Sequence, residues 1–503
     1  MLGKIKRIFT QGAIYGVAQL AGKILNFLLI PFFTFIMQKS QMGVYTDLYT
    51  WVAFLIIVLT FGSETAFFKF AQEIDSEDPE KDRKQDKVLS TAAIGVFGSS
   101  ISFMLLIWFF LAPLARLMRY ENTPEIILMV LGILTLDVWS ALPKAQLRRQ
   151  GRAKFFVFVN LASIVINILV NLTLLLFIPK ALEQGWMSSS MLSWYNPDHI
   201  VHYVFTANLC ASLGAFLLVF PIYLRLNWQF DTALLRRIIG FGVPLMLAGL
   251  AGMFNERADI QMIKYLLPPE TALEEVGMYG TVYKFAMLLI ILNQAFRYAA
   301  EPFVFKYFKS VDSDDPNSKE AKEGLALTTD WFIVILSVGL VSTLSAKVFI
   351  EVLVAEQFEE GLYILPILLL ANVFYAIHTQ LSFWYKLIEK TAYGLLITSC
   401  GALMTLVLTL ALIPSLGYEG AAWATLGSYA TMMLLSYFMG QKYNPYPYNV
   451  KQAFLVVGVA MGFGMISWHF ASSWLWVQLL SMLGFGGFLY WYLGDQLREL
   501  RKG

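Results

Sequence analysis

Apolar stretches long enough to cross a bilayer recur along almost the whole chain, from Gln11 to the last few residues. A helical span needs about 20 mostly apolar residues, so this pattern predicts an all-α integral membrane protein with 14 transmembrane helices. The predicted spans are 12–36, 44–71, 88–113, 124–147, 154–179, 200–224, 234–266, 276–305, 323–346, 361–386, 392–414, 417–440, 450–472 and 474–496. An even number of spans places both termini on the same side of the membrane.

The Lys and Arg residues between these spans are distributed unevenly. Counted together with the adjoining span ends, which assigns Lys144 and Arg148 to the segment after the fourth span, the segments on the side of the N-terminus hold 26 of them, whereas the opposite segments hold only 5. Because short loops rich in Lys and Arg stay in the cytoplasm, the count predicts that both termini are cytoplasmic. The same alternation supports the number of spans, since one missed helix would scramble it.

Composition excludes several classes of protein. Apolar residues make up 58% of the 503 residues and charged residues 14%, and the net charge is only +2 with no basic block, so nucleic acid is not an expected partner. Cys210 and Cys400 each lie in an apolar run, which favours packing over a disulfide or metal pair. The sequence contains no GxxxxGK[ST] phosphate loop and no HExxH motif. We therefore expect a protein that is not an enzyme and that uses no ATP, metal centre or other cofactor.

Two short sequence pairs indicate an internal duplication. GVYTDLY from Gly43 matches GMYGTVY from Gly277, and RRQGRAKFF from Arg148 matches KLIEKTAYG from Lys386. The members of each pair lie six predicted helices apart. The duplication predicts an N-lobe of six helices at 1–225, a C-lobe of six helices at 226–440 and a C-terminal helix pair at 441–503. Repeats of this kind place a substrate path between the two lobes.

Charged residues inside the spans are candidates for function, because each cation costs about 2.5–3.5 kcal/mol at a helix centre. The six cations not counted with the segments between spans are Lys23, Lys69, Arg257, Lys264, Lys284 and Arg297. Lys69 and Lys264 lie near helix ends, where snorkelling to the interface is expected. Lys23 and Arg257 have no acidic residue three or four positions away, so we expect them to line a cavity.

Other polar residues in the spans share faces with these cations. The residues predicted to line the cavity or to bind a coupling ion are Asn26, Glu64, Asp137, Asn255, Asp259, Glu301 and His378. Asn255 and Asp259 lie at i and i+4 on one helix face. Two interpretations stay open for Arg297 and Glu301, a local ion pair or two cavity residues, and likewise for His378, a packing residue or a cavity residue.

Several of these segments together resemble a known family. They are the Lys/Arg-rich start before a Gly-rich first helix, the two Gly-x-Tyr repeats, NERAD from Asn255 and IPSLGYEGAAWATLG from Ile413. Over about residues 5–440 the chain resembles the Wzx-type oligosaccharide flippases of the multidrug/oligosaccharidyl-lipid/polysaccharide (MOP) exporter superfamily. The resemblance implies alternating access and movement of an oligosaccharide on a polyprenyl diphosphate from the cytoplasmic to the periplasmic leaflet.

The resemblance also implies a cellular location and binding partners. The expected location is the bacterial cytoplasmic (inner) membrane, with the lipid-linked saccharide as substrate, membrane lipids as surroundings, and a glycan polymerase or glycosyltransferases as further partners. Lys23, Arg257, Lys284 and Arg297 are then the candidates to meet the diphosphate, with Na⁺ or H⁺ as a coupling ion. A cation-coupled multidrug antiporter of the same superfold and a peptidoglycan-precursor flippase are the alternatives.

Overall fold

A computed structural model describes residues 27–74, 78–186, 194–310, 319–387, 390, 392–470 and 475–500; the side chains of 298–310, 319–321, 387, 475 and 495–500 are not among those described. Within these ranges every regular element is helical. Long apolar runs without interior turn signals form the long helices, because a backbone in lipid must satisfy its hydrogen bonds within the helix.

The helices follow the predicted spans closely along the described chain. They are α1 (Phe27–Ile36), α2 (Lys39–Thr60), α3 (Ser63–Gln72), α4 (Lys81–Phe109), α5 (Leu111–Leu117), α6 (Pro124–Arg149), α7 (Ala153–Leu172), α8 (Ile178–Glu183), α9 (Ile200–Leu224), α10 (Thr232–Leu266), α11 (Pro269–Ser310), α12 (Lys319–Ser345), α13 (Lys347–Leu353), α14 (Glu356–Glu359), α15 (Leu365–Leu381), α16 (Phe383–Leu387), α17 (Ala392–Leu416), α18 (Tyr418–Tyr443), α19 (Val450–Phe470) and α20 (Leu475–Leu500). A π-helical turn, Thr173–Phe177, joins α7 to α8, and a 3₁₀ turn, Glu360–Ile364, precedes α15.

Eleven stretches of the described chain are long and apolar enough to cross a membrane. Helices α18 and α20 are also long enough, at 26 residues each, but they do not meet the same apolar criterion. Small and hydroxyl residues such as Ala421, Thr425 and Ser428 lower the apolar character of α18 and lie buried against other helices instead of facing lipid. Part of the first predicted span, 12–26, lies outside the described residues. The count of fourteen spans stays a prediction.

The chain forms two compact units. Unit 1 runs up to Arg257 apart from 30–35, and unit 2 comprises 30–35 and the chain from Ala258 onward. The division falls inside α10, whose first 26 residues belong to unit 1. The lobe boundaries predicted at 225 and 440 are not tested by this division and stay a prediction.

The same helix pairings occur in each unit. In unit 1, α9 packs against α6 and α7, and α6 also contacts α2 and α4; in unit 2, α18 packs against α15 and α17, and α15 also contacts α11 and α12. Corresponding helices lie six predicted spans apart. The paired sequence motifs therefore mark equivalent helices within two similarly built units.

The end of each unit's sixth span is tied to its third span by one carboxylate. Asp86 of α4 accepts a hydrogen bond from the backbone N–H of Asn227, at 3.4 Å, in the segment after α9. Asp330 of α12 accepts one from the backbone N–H of Asn449, also at 3.4 Å, in the segment after α18. The duplication thus extends to the contacts that fix the chain where it leaves each six-helix set.

A sharp break separates α2 from α3. Phe61 and Gly62 have positive φ angles of 38° and 71°. Gly242 of α10 lies against this break, and a Cβ at Gly62 would come within 2.7 Å of the Gly242 carbonyl oxygen. The close approach of two backbones requires glycine at both positions.

Candidate functional site

Three of the predicted site residues fall outside what the structure describes. Lys23 and Asn26 precede the first described residue, and the side chain of Glu301 is not described. The remaining predicted residues divide between the units: Glu64, Asp137, Asn255 and Arg257 in unit 1, and Asp259, Lys284, Arg297 and His378 in unit 2.

The polar site of unit 1 is built on α6. Asp137, Lys144 and Arg148 follow one another at intervals of seven and four residues, which places them along one helix face. Asp137 accepts a hydrogen bond from the hydroxyl of Ser212 on α9 and interacts electrostatically with Lys144, which also interacts with Glu64. Helix α6 therefore carries one carboxylate and two cations along one face, and Lys144 lies close enough to Asp137 to compensate its charge within the membrane.

Glu64 at the start of α3 places a second carboxylate beside the two cations of this face. Its carboxylate forms an ion pair with the guanidinium of Arg148. The guanidinium carbon also lies 5.3 Å from the ring centre of Phe68 and 5.8 Å from that of Phe156. Both side chains of the ion pair keep about a third of their surface exposed, at 37% for Glu64 and 32% for Arg148. This pair is accessible, so it can exchange partners without first being uncovered.

The tyrosines of the first repeat lie beside these charges. The rings of Tyr45 and Tyr49 are 4.7 Å apart on α2, and Tyr49 stacks on Phe205 at 5.7 Å. Tyr45 interacts electrostatically with the half-buried Arg257, and Tyr49 with Asp137. The Tyr49 hydroxyl is buried without a hydrogen-bond partner among the described residues. The predicted cavity cation Arg257 thus lies with α2 in unit 1.

Asn255 is also part of unit 1. It is only 4% exposed, and its amide donates to the carbonyl oxygen of Ala251 at 3.2 Å. Although Asn255 and Asp259 share one face of α10 as predicted, they lie on either side of the division between the units.

The polar site of unit 2 centres on Asp259, which is 2% exposed. Its Oδ2 atom accepts hydrogen bonds from the Tyr279 hydroxyl of α11 and from the Thr425 hydroxyl of α18, the latter at 3.2 Å. Thr425 and Tyr279 are also within 3.2 Å of each other. A buried carboxylate is tolerated only when such donors replace water. Tyr279 and Thr425 donate through neutral hydroxyl groups.

Lys264 corrects a prediction. We expected it to snorkel towards an interface, but it is 0% exposed within unit 2, and its ammonium nitrogen lies 5.6 Å from the ring centre of Tyr265. Lys69, in contrast, is exposed at the end of α3 and lies 4.2 Å from the ring centre of Phe241. Nearness to a helix end therefore did not decide whether these two lysines are buried.

The other predicted residues of unit 2 lie apart on two helices. Lys284 and Arg297 are half-buried on α11, and Arg297 interacts electrostatically with Tyr385. His378 on α15 is 6% exposed, and its Nδ1 lies 2.7 Å from the Ser436 hydroxyl oxygen on α18.

Several partners escaped prediction from the sequence. Lys144 and Arg148 were counted with the cytoplasmic segment after the fourth span, yet both lie within α6. Their spacing from Asp137 is the signal that could have identified them. Tyr279 stood in the recognised repeat, and its spacing from Asp259 is one of the more specific features of the family resemblance, but no contact between them was predicted. Thr425 is 166 residues from Asp259 along the chain.

The fold matches solved membrane transporters. A structure titled "Lipid II flippase MurJ, inward closed conformation" matches with a TM-score of 0.69 at 13% identity, covering 96% of this chain and 99% of that one. An inward-facing multidrug resistance MATE family transporter of the MOP superfamily matches with a TM-score of 0.64 at 12% identity, covering 84% and 94%. No curated protein sequence matches the chain.

These matches define the class: a multi-pass membrane protein with the fold of the MurJ and MATE transporters of the MOP superfamily. Residues 9–308 match the family described as "Polysaccharide biosynthesis protein". The chain belongs to this polysaccharide biosynthesis protein family, and the resemblance to the superfamily that the sequence indicated is confirmed.

Proposed function

We propose that this protein is a flippase that moves a polyprenyl-diphosphate-linked oligosaccharide from the cytoplasmic to the periplasmic leaflet of the bacterial inner membrane by alternating access. The observation that carries the proposal is the family match over residues 9–308 in a chain with a MOP-superfamily transporter fold. A polysaccharide pathway requires transport of a lipid-linked saccharide, and a transporter fold can perform that transport. In this proposal both termini are cytoplasmic.

Charges within the spans support an anionic substrate. Arg257 of unit 1 and Lys284 and Arg297 of unit 2 are half-buried, and cations at membrane depth normally face water or a charged ligand. A diphosphate is such a ligand. Lys23 stays part of the proposal on the sequence alone.

We further propose that a cation, H⁺ or Na⁺, couples to transport at a buried carboxylate. Asp259 is one candidate site, because its buried carboxylate accepts hydrogen bonds from the Tyr279 and Thr425 hydroxyls and a bound cation would take the place of these donors. Asp137 and Glu64 are the other candidates, and Lys144 and Arg148 lie beside them. Exchange of the Tyr279 or Thr425 hydrogen bond for a cation would change how α10, α11 and α18 are held together.

Two alternatives have an observation of their own. The MurJ likeness favours a peptidoglycan-precursor flippase, and the MATE likeness favours a cation-coupled drug antiporter. The purified full chain in proteoliposomes should therefore be offered three substrates in turn: a labelled polyprenyl-diphosphate oligosaccharide, lipid II and a cationic dye. Transport of the oligosaccharide alone supports the proposal. Transport of only lipid II or only the dye would replace it with the matching alternative.

A further inference from the structure

A cavity of about 340 Å³ lies in unit 1 among α4, α6, α7 and α9. Its lining comes from the start of α4, the end of α6, the start of α7 and the end of α9. The distribution of Lys and Arg predicts that these four ends face the cytoplasm. The cavity is therefore expected at the level of the lipid headgroups of the cytoplasmic leaflet. None of the polar residues assigned above to the transport site lines it.

The polar lining carries excess positive charge. Arg152 and Arg225 both line the cavity, and neither forms an ion pair within the part of the chain that the structure describes. The single acidic residue in the lining, Asp86, is already engaged by the Asn227 N–H and interacts electrostatically with Arg149. The two guanidinium groups are thus available to bind an anion.

An amide adds a buried donor. Gln146 lines the cavity and is 6% exposed. Its Oε1 accepts a hydrogen bond from Nε of Arg149 at 2.9 Å, which leaves its NH₂ group to donate into the cavity. Guanidinium forks and amide N–H groups are the donors that phosphate oxygens accept best.

The opposite wall is apolar and leads outward. Phe155, Leu218 and Ile222 line it, and the Phe155 ring stacks on that of Phe158 at 6.1 Å. Phe158 is 54% exposed, as expected of a side chain that faces lipid. The cavity therefore has a basic, polar end and an apolar end that faces outward. An anionic headgroup with attached acyl chains matches this arrangement.

We propose that the cavity binds the phosphate headgroup of an anionic glycerophospholipid from the cytoplasmic leaflet, with its acyl chains along Phe155 and Phe158. Basic pockets between transmembrane helices on the cytoplasmic side are suited to such headgroups. A lipid bound there holds the ends of four helices of unit 1 together. The proposal does not depend on the transported substrate.

Unit 2 provides a comparison. Its cavity of about 450 Å³ lies among α12, α15, α18 and α19, and its described lining includes Asp330 but no Lys or Arg. A cavity of similar size that has a carboxylate but lacks the two guanidinium groups repels a phosphate. Anionic headgroup binding is therefore expected at unit 1 alone.

Native mass spectrometry of the purified full chain, after incubation with phosphatidylglycerol or phosphatidylcholine vesicles, tests the proposal. We expect one retained phosphatidylglycerol and little phosphatidylcholine. Replacing both arginines, Arg152→Gln with Arg225→Gln, should lower retention about tenfold or more, because a hydrogen bond to a charged group contributes about 1.5–3 kcal/mol. The control Arg83→Gln should retain lipid normally, since Arg83 is 64% exposed, pairs with Glu80 and does not line the cavity.

A second variant keeps the charges and removes the space. Leu218→Trp should fill the cavity and also reduce retention, even if the arginine variant fails to fold. Equal retention of phosphatidylglycerol by the wild type and either cavity variant that folds would overturn the proposal. So would an equal loss in the Arg83→Gln control, or displacement of the lipid by millimolar inorganic phosphate, which would assign the cavity to a soluble anion.

Discussion

The two units share their helix pairings but differ in the side chains that contact their carboxylates. Unit 1 sets charge against charge: Asp137 with Lys144 and Glu64 with Arg148, the latter pair about a third exposed. Unit 2 buries Asp259 against the hydroxyls of Tyr279 and Thr425. A duplicated scaffold therefore fixes where helices meet without fixing the chemistry placed between them. The described contacts in unit 1 pair carboxylates with cations, whereas those of Asp259 in unit 2 include hydrogen bonds from two hydroxyl groups.

The largest expected effect follows from removing the carboxylate of unit 2. Asp259→Ala should abolish transport and lower the free energy of unfolding by about 1–3 kcal/mol, because two buried hydroxyls lose their acceptor. The matched change in unit 1, Glu64→Gln, should cost less than about 1 kcal/mol, since its ion pair is partly exposed. Proteoliposome transport and thermal unfolding in detergent measure both effects. Equal losses of stability in the two variants would remove the contrast between the units.

The second prediction concerns the backbone contact in unit 1 between α10 and the break after α2. A Cβ on Gly242 would collide with the Phe61 carbonyl oxygen, so Gly242→Ala should destabilise the protein by about 1–3 kcal/mol. Two residues earlier on α10, Gly240 has nothing within 4 Å of an added Cβ, so Gly240→Ala should instead stabilise by about 0.5–1 kcal/mol. Thermal unfolding of the two variants measures both changes in stability. A stabilised Gly242→Ala would show that α10 does not approach the break after α2 this closely.

A third prediction uses the tyrosines of the two repeats. Tyr279→Phe removes a donor from Asp259 and should cost about 1–3 kcal/mol of stability. Tyr49→Phe should be close to neutral, because the Tyr49 hydroxyl is buried without a hydrogen-bond partner among the described residues. Chemical or thermal unfolding of the pair tests the comparison. If Tyr49→Phe lowers the stability more than Tyr279→Phe does, the hydroxyl of Tyr49 and not that of Tyr279 makes the stabilising hydrogen bond, which contradicts the account.

The smallest effect is expected outside the spans, at the start of α10. The Lys87 ammonium, 2.7 Å from the Asp231 carboxylate, lowers the pKa of that carboxyl below its usual value of 3.8. A lowered pKa in the folded state stabilises the protein above the unfolded pKa, and this stabilisation is lost as the pH falls through the folded pKa. Asp231→Asn keeps the oxygen that caps Leu234 and should reduce the loss of thermal stability on acidification below about pH 4. If the thermal stability of Asp231→Asn falls on acidification as much as that of the wild type, Asp231 does not contribute to the acid sensitivity of the protein.

The sequence predicted the helices well because their length and apolar character are local properties. Predicted and observed ends agree closely, as at 200–224, where α9 runs from Ile200 to Leu224. The break at Phe61 and Gly62 was not predicted, because it depends on Gly242, 180 residues away in the chain. The second repeat showed Tyr279 as a conspicuous position, but the Asp259 site also needs Thr425 from α18. Interactions between helices of similar composition leave little local signal.

Burial of charge was the least predictable property. Lys264 looked like a snorkelling residue from its place in α10, yet it is fully buried in unit 2. Asp137 was recognised as a charged residue in a span, whereas its partner Lys144 was assigned to a loop because basic residues are frequent there. Sequence position gives the depth of a charge along one helix, and only packing shows which neighbours surround it.

Outward transport of the proposed substrate tests the central claim most directly. An inside-negative potential of 100 mV would favour export of a diphosphate carrying two negative charges by about 4–5 kcal/mol. In proteoliposomes containing the full chain, a labelled polyprenyl-diphosphate oligosaccharide should accumulate in the outward leaflet against a concentration difference, and accumulation should fall when the potential and all cation gradients are collapsed. No movement of the substrate, or accumulation that is undiminished without any gradient, would contradict the account.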